Sequence, residues 1–222
     1  MYFFLWYDNR HHMQEGGDGL KETFYQVSHL PCRVALLSDL HNRPCEAVVT
    51  SLERNKPTLI CVTGDFVYGG YPAEDGLIVK LQKNVLLFFK GCAAIAPTFV
   101  SLGNHEQLLC SEDLNKITAT GVTMLENSFV SVPIGEEVVS IGGLSSGYFT
   151  GIQTLRQTDG GQWRIFNHGV FAPGQGLWPK YTKGIYENRL IVSAGLSNTA
   201  GIPRFFNPTE VVYIDPAPAS RV

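Results

Sequence analysis

The stretch Arg33-Val34-Ala35-Leu36-Leu37-Ser38-Asp39-Leu40-His41 is an apolar run that turns polar at its end. A strand covered on both faces of a sheet has this profile, and its carboxyl end hands polar side chains to a loop. Pro44 follows, at the start of a helix whose apolar residues include Ala47, Val48 and Leu52. The same unit then recurs. Residues 58–63 (TLICVT) predict a strand ending in Gly64-Asp65, followed by a helix over roughly 74–95 carrying Leu77, Ile78, Leu81, Val85, Leu86 and Phe89. Residues 98–102 (TFVSL) predict a third strand ending in Gly103-Asn104-His105-Glu106. Residues 111–120 predict a short helix, with Ser111 as its N-cap and acidic groups in its first turn.

Strand–helix alternation of this kind gives βαβ units around a largely parallel sheet, so the class is α/β. Upstream, residues 21–29 alternate loosely and predict an edge strand. Beyond Met124 the pattern changes to short strands between Gly/Pro turns, at 129–132, 138–141, 162–166, 190–194 and 210–214. They predict a second sheet packed on the first, giving two packed β-sheets flanked by helices. One domain is expected over 21–215, with tails at 1–20 and 216–222.

The chain has 222 residues, enough for one sizeable core, and no linker that would divide it. Its net charge of -3, with no Lys/Arg stripe, excludes an electrostatic case for nucleic acid. Five cysteines without a C-x-x-C pair predict reduced thiols. The apolar start MYFFLWY is far short of the ~20 residues of a membrane span and lacks signal-peptide features. It is read as a tail or the remnant of an anchor, in a protein that is cytoplasmic or peripheral to the cytoplasmic membrane.

Three successive strand ends therefore present Asp39-x-His41, Gly64-Asp65 and Gly103-Asn104-His105-Glu106. Ligand sites in open α/β sheets gather beyond the carboxyl ends of strands. Carboxylate, imidazole and amide oxygen are donors suited to Mn, Fe or Zn. Singly, an Asp after a strand is a turn former and a loop His is a surface residue; their shared placement makes the case for a metal site.

In this order and at these separations, Asp39-Leu40-His41-Asn42, Gly64-Asp65 and Gly103-Asn104-His105-Glu106 resemble the calcineurin-like metallophosphoesterase signature. Gly160-Gly161-Gln162 and residues 172–181 (APGQGLWPKY) are similar to a bacterial, often membrane-associated branch of that family. The resemblance implies a metallo-dependent phosphatase-like sandwich and a phosphatase or phosphodiesterase using a metal-activated hydroxide. It implies one or two divalent ions (Mn, Fe, Zn or Mg), with Asp39 and His41 on one, Asn104 on the other and Asp65 between them. His105 would act on the leaving oxygen, and the substrate would be a small-molecule or lipid-linked phosphoester.

The pattern breaks in the second half. The family places one histidine in an H-x-P-like segment and two in a G-H-x-H run before Gly-Gly-Gln, but here Arg156-Gln157-Thr158-Asp159 precede Gly160. Only residues 145–159 separate the strand ending at Leu144 from Gly160, too few for a strand–helix–strand unit of about 30 residues. An internal deletion near 145–159 is therefore expected, leaving exposed sheet edges prone to self-association. His168, His11, His12 and His29 are read as solvated or structural, and Asp159 as the nearest substitute carboxylate. Trp163, Phe171, Trp178 and Tyr181 are read as packing residues before groove residues. Two readings remain: an enzyme impaired by the missing ligands, and a non-catalytic relative that keeps the fold.

Overall fold

A computed structural model describes residues 13–15, 19–28, 30–68, 71–73, 76–144, 163–165, 168–172, 176–177, 183–186, 190–197 and 208–218. Of these, 13–15, 71–78 and 163–177 are described by backbone alone. The first half holds strands β1 (Met13–Glu15), β2 (Lys21–Val27), β3 (Val34–Leu37), β4 (Leu59–Val62), β5 (Tyr71–Ala73), β6 (Gly76–Ile78) and β7 (Thr98–Val100). It also holds helices α1 (Glu46–Asn55), α2 (Lys83–Ile95) and α3 (Ser111–Thr118). After α3 come β8 (Thr123–Met124), β9 (Ser128–Ile134), β10 (Glu137–Gly143), β11 (Trp163–Ile165) and β12 (His168–Ala172). The last four are β13 (Gly176–Leu177), β14 (Gly184–Tyr186), β15 (Leu190–Val192) and β16 (Glu210–Pro216).

The main sheet has seven strands in the order β1-β2-β16-β3-β4-β7-β8. β3, β4, β7 and β8 are parallel, as the recurring strand–helix units require. One face carries the helices: Val48 and Leu52 of α1, Val85, Phe88, Phe89 and Cys92 of α2, and Ile117 of α3 pack on Leu37, Ile60 and Val100. The other face carries a β layer, in which Val139 and Ile141 of β10, with Ile185 of β14 and Ile191 of β15, pack on Leu59, Phe99, Val212 and Ile214. Each fully buried Leu, Ile or Phe contributes about 1.5–3 kcal/mol. This is the α/β sandwich expected from the sequence.

Five details differ from the sequence reading. The strand over 210–214 belongs to the main sheet, where β16 runs parallel to β2 and antiparallel to β3. Its Val211, Val212, Tyr213 and Ile214 are buried on both faces, a profile that suits a central strand. β2 is consequently not an edge, since β1 and β16 flank it. The helix expected from residue 74 starts at Lys83, because β5 and β6 pair as a hairpin, Tyr71 opposite Ile78. α3 is capped by Cys110 in extended conformation, and Ser111 is its first helical residue. The second layer consists, among the described residues, of small separate sheets rather than one continuous sheet.

Met13–Glu15, within the segment read as a tail, pairs antiparallel with β2. All five cysteines are free thiols. Among the described residues, no helix is long and apolar enough to cross a membrane. The region near 145–159 lies outside the described residues.

Candidate metal centre

β3, β4 and β7 end side by side, and the loops beyond them are laced together by main-chain bonds. Asp39 N–H donates to Gly64 O (3.2 Å), His41 N–H to Asp65 O (3.1 Å) and Asn42 N–H to Phe66 O (3.0 Å). Two glycines let the second and third loops touch. A Cβ on Gly64 would stand 2.3 Å from Gly103 N, and one on Gly103 would stand 2.1 Å from Asp65 Oδ1. Asp39, His41, Asn42 and Asp65 all hold positive φ, between 48° and 59°. Asp, Asn and His tolerate this region better than other side chains, yet four such residues in one place mark a site whose surroundings impose the strain.

Glu106 fastens the arrangement from below. Its buried carboxylate accepts Asp65 N–H (2.8 Å) and Gly103 N–H (2.7 Å) on one oxygen and Val67 N–H (3.0 Å) on the other. Burial raises its pKa, and the three amides act against that rise. The sequence showed Glu106 only as the end of a motif; two of its three partners, Asp65 and Val67, are about forty residues away and leave no local signal.

His41 Nδ1 lies 3.2 Å from Val67 O. A carbonyl only accepts, so the ring proton sits on Nδ1 and Nε2 presents its lone pair. Burial lowers the His41 pKa, but Asp39 and Asp65 outweigh burial and the net shift is upward. Its Nε2 is 3.7 Å from Asp39 Oδ1. The His105 ring is edge-on to His41 with centroids 4.6 Å apart, and the half-exposed Tyr68 stands beside both. His105 N–H donates to Asp65 Oδ1 at 3.2 Å. Burial, with Glu106 and Asp39 nearby, pushes the Asp65 carboxyl up to about 7.

One ligand-type atom from each of His41, Asp65 and His105 lies within 4.8 Å of the others. Asp39 Oδ1, His41 Nε2 and Asp65 Oδ2 are buried without a hydrogen-bond partner. Buried polar atoms are normally satisfied, so the unpartnered His41 and Asp65 atoms of this group, with Asp39 Oδ1 3.7 Å from His41 Nε2, are hard or borderline donors that fit a divalent cation. A family model described as calcineurin-like phosphoesterase matches residues 32–213. The chain belongs to the calcineurin-like phosphoesterase family. A comparison with curated proteins returns no match.

In this family member the structure brings together Asp39, His41, Asp65 and His105, while Asn104 opens the short 3-10 turn His105–Leu108 with its side chain exposed. The sequence assigned His105 to the leaving oxygen only; the structure also puts it among the possible metal donors. His168 lies in β12, described by backbone alone, as are Trp163 and Phe171 in their strands. His11, His12, His29, Asp159, Trp178 and Tyr181 lie outside the described residues. Gly195 is a neighbour the sequence did not point to: a Cβ there would be 2.8 Å from Asp39 Oδ2.

Proposed function

We propose that the chain hydrolyses phosphoesters, as a phosphatase or phosphodiesterase, with one divalent ion held by Asp39, His41 and Asp65. The supporting observation is the His41–Asp65–His105 group within 4.8 Å, beside which Asp39, His41 and Asp65 carry buried atoms without a hydrogen-bond partner. When bound, a divalent cation supplies Lewis acidity toward a phosphoryl oxygen and offsets the charge that develops there. The protein's own part is to hold the donors at strand ends, Asp39 and Asp65 bringing negative charge and His41 a lone pair on Nε2. Gly64 and Gly103 keep the two loops in contact, so the donors need little reorganisation.

His105, half-buried beside His41, is assigned to protonating the leaving oxygen. A second role is favoured by its place within the 4.8 Å cluster, where it completes the donor set. His105→Ala separates the two: a proton donor's loss lowers kcat with metal still bound, whereas a ligand's loss removes the metal. The substrate is proposed to be a small-molecule or lipid-linked phosphoester.

The test compares wild type with Asp65→Ala on a chromogenic phosphodiester with Mn. We expect the variant to lose at least about 100-fold in rate, the scale on which an ion's contribution is felt. Equal background rates in both proteins would sink the enzyme reading and favour a non-catalytic relative. Metal analysis after dialysis should give one equivalent; two retained equivalents would contradict the single-ion assignment.

A further inference from the structure

We propose that Glu210 is a positioning residue for the metal centre: it holds the Ala194-Gly195 turn against Asp39 from the far end of the chain. This inference rests on the reading of Asp39 as a metal ligand.

The sheet register brings Glu210 to the site. β16 is antiparallel to β3, with Val212 opposite Leu36, so the first residue of β16 lies where β3 runs out toward Asp39. Glu210 is completely buried. Its Oε1 accepts Ala194 N–H (2.9 Å), and its own N–H donates to Gly195 O (3.0 Å), so one residue grips the turn at two points. Oε2 is satisfied by the Thr23 hydroxyl (2.5 Å) and the Lys183 ammonium, which balances the buried charge.

The turn is joined to the metal loop by Leu196 N–H, which donates to Ser38 O at 2.9 Å, one residue before Asp39. Gly195, at φ +77°, presents bare backbone to that carboxylate: a Cβ there would lie 2.8 Å from both Asp39 Cβ and Asp39 Oδ2. Asp39 Oδ1 makes no hydrogen bond. The carboxylate is thus oriented by this backbone wall, and Glu210 fixes the wall. Groups that orient a metal ligand are worth about 10–100-fold in metal affinity or activity.

The full-length chain and three variants separate this role from simple support of the fold. Mn binding is measured by calorimetry, amide hydrogen exchange on the metal-free protein, and kcat and KM on bis-p-nitrophenyl phosphate. Glu210→Ala is expected to speed exchange at the Ala194 amide, weaken Mn binding about 10–100-fold and lower kcat, with KM within about twofold. Glu210→Gln keeps an oxygen for Ala194 N–H and is expected to recover most of the affinity. Gly195→Ala leaves Glu210 in place but drives a methyl into Asp39; it should weaken Mn binding without faster exchange at Ala194.

Unchanged Mn affinity in Glu210→Ala, or no recovery in Glu210→Gln, overturns the inference. Should Glu210→Ala not fold, Gly195→Ala decides, and wild-type affinity there overturns it. A wild type that binds no Mn overturns the metal reading itself and this inference with it. A wild type that binds Mn beside variants that bind equally well overturns the inference alone.

Discussion

Asp65 packs directly against the backbone of Gly103, and that crowding makes its neighbours testable. A methyl at Gly103 would overlap its Oδ1, so Gly103→Ala forces apart two loops whose backbones are already in contact. Overpacking of this kind costs about 1–3 kcal/mol, and here it should also weaken Mn binding. Urea unfolding and a metal titration on the same variant check both effects. Glu106 gives a second residue-scale prediction. Glu106→Leu strands three buried amides, each worth about 1–3 kcal/mol when left unpaired, so a loss of about 3 kcal/mol or more is expected. Glu106→Gln retains one oxygen acceptor but sets an amide N–H against a backbone N–H, so it should fall between Leu and wild type in urea midpoint. Asp39, His41, Asp65 and His105 were legible in sequence because each lies in the loop just beyond a strand with a strong apolar pattern. Glu106, Gly195 and Glu210 were not, because their partners are distant in sequence.

Elements were read best where periodicity and burial agree. β3, β4 and β7 are buried on both faces and appear as continuous apolar runs. The start of α2 was misread because Leu77 and Ile78 fall at helical spacing from Leu81 and Val85, while backbone pairing of β5 with β6 fixes that stretch as a hairpin. α1 ends in a way its sequence does not advertise: Lys56 adopts φ 46°, ψ 60° and donates its N–H to Leu52 O at 2.8 Å. A glycine takes that left-handed position without the Cβ penalty. Lys56→Gly, at an exposed position, is expected to stabilise the protein by about 0.5–1 kcal/mol, the left-handed penalty relieved less the chain entropy a glycine adds to the unfolded state, read as a higher urea midpoint with unchanged m-value.

At the scale of the molecule, folding sets the alkaline limit through groups it keeps neutral. Burial pushes the Tyr213 hydroxyl up to about 12, and burial followed by the nearby Cys45 raises the Cys92 thiol. In the unfolded chain these groups titrate near their ordinary values, roughly 8.5 for Cys and 10 for Tyr. Their folded pKa values are the higher ones, so their contribution is fully present below about 8.5 and is lost as pH rises toward the folded values. The urea midpoint should therefore hold between pH 7 and about 8.5 and fall steeply above it. Tyr213→Phe should flatten that fall; an identical slope in the variant would remove Tyr213 from the account. The sandwich as a whole was legible from strand–helix alternation followed by short strands. The centre of its main sheet was not, since no local pattern tells a returning strand which neighbours it will join.

That returning strand governs how the molecule comes into being. β16 lies between β2 and β3, so a chain emerging from the ribosome carries the two parts of its main sheet unjoined until β16 has been made. The loops bearing Asp39 and Asp65 can be made early, but the wall behind Asp39 closes only when residues 210–216 have been translated. The parallel strands β3, β4, β7 and β8 pair without β16, but β2 has no route into their sheet until that strand is there to bridge them.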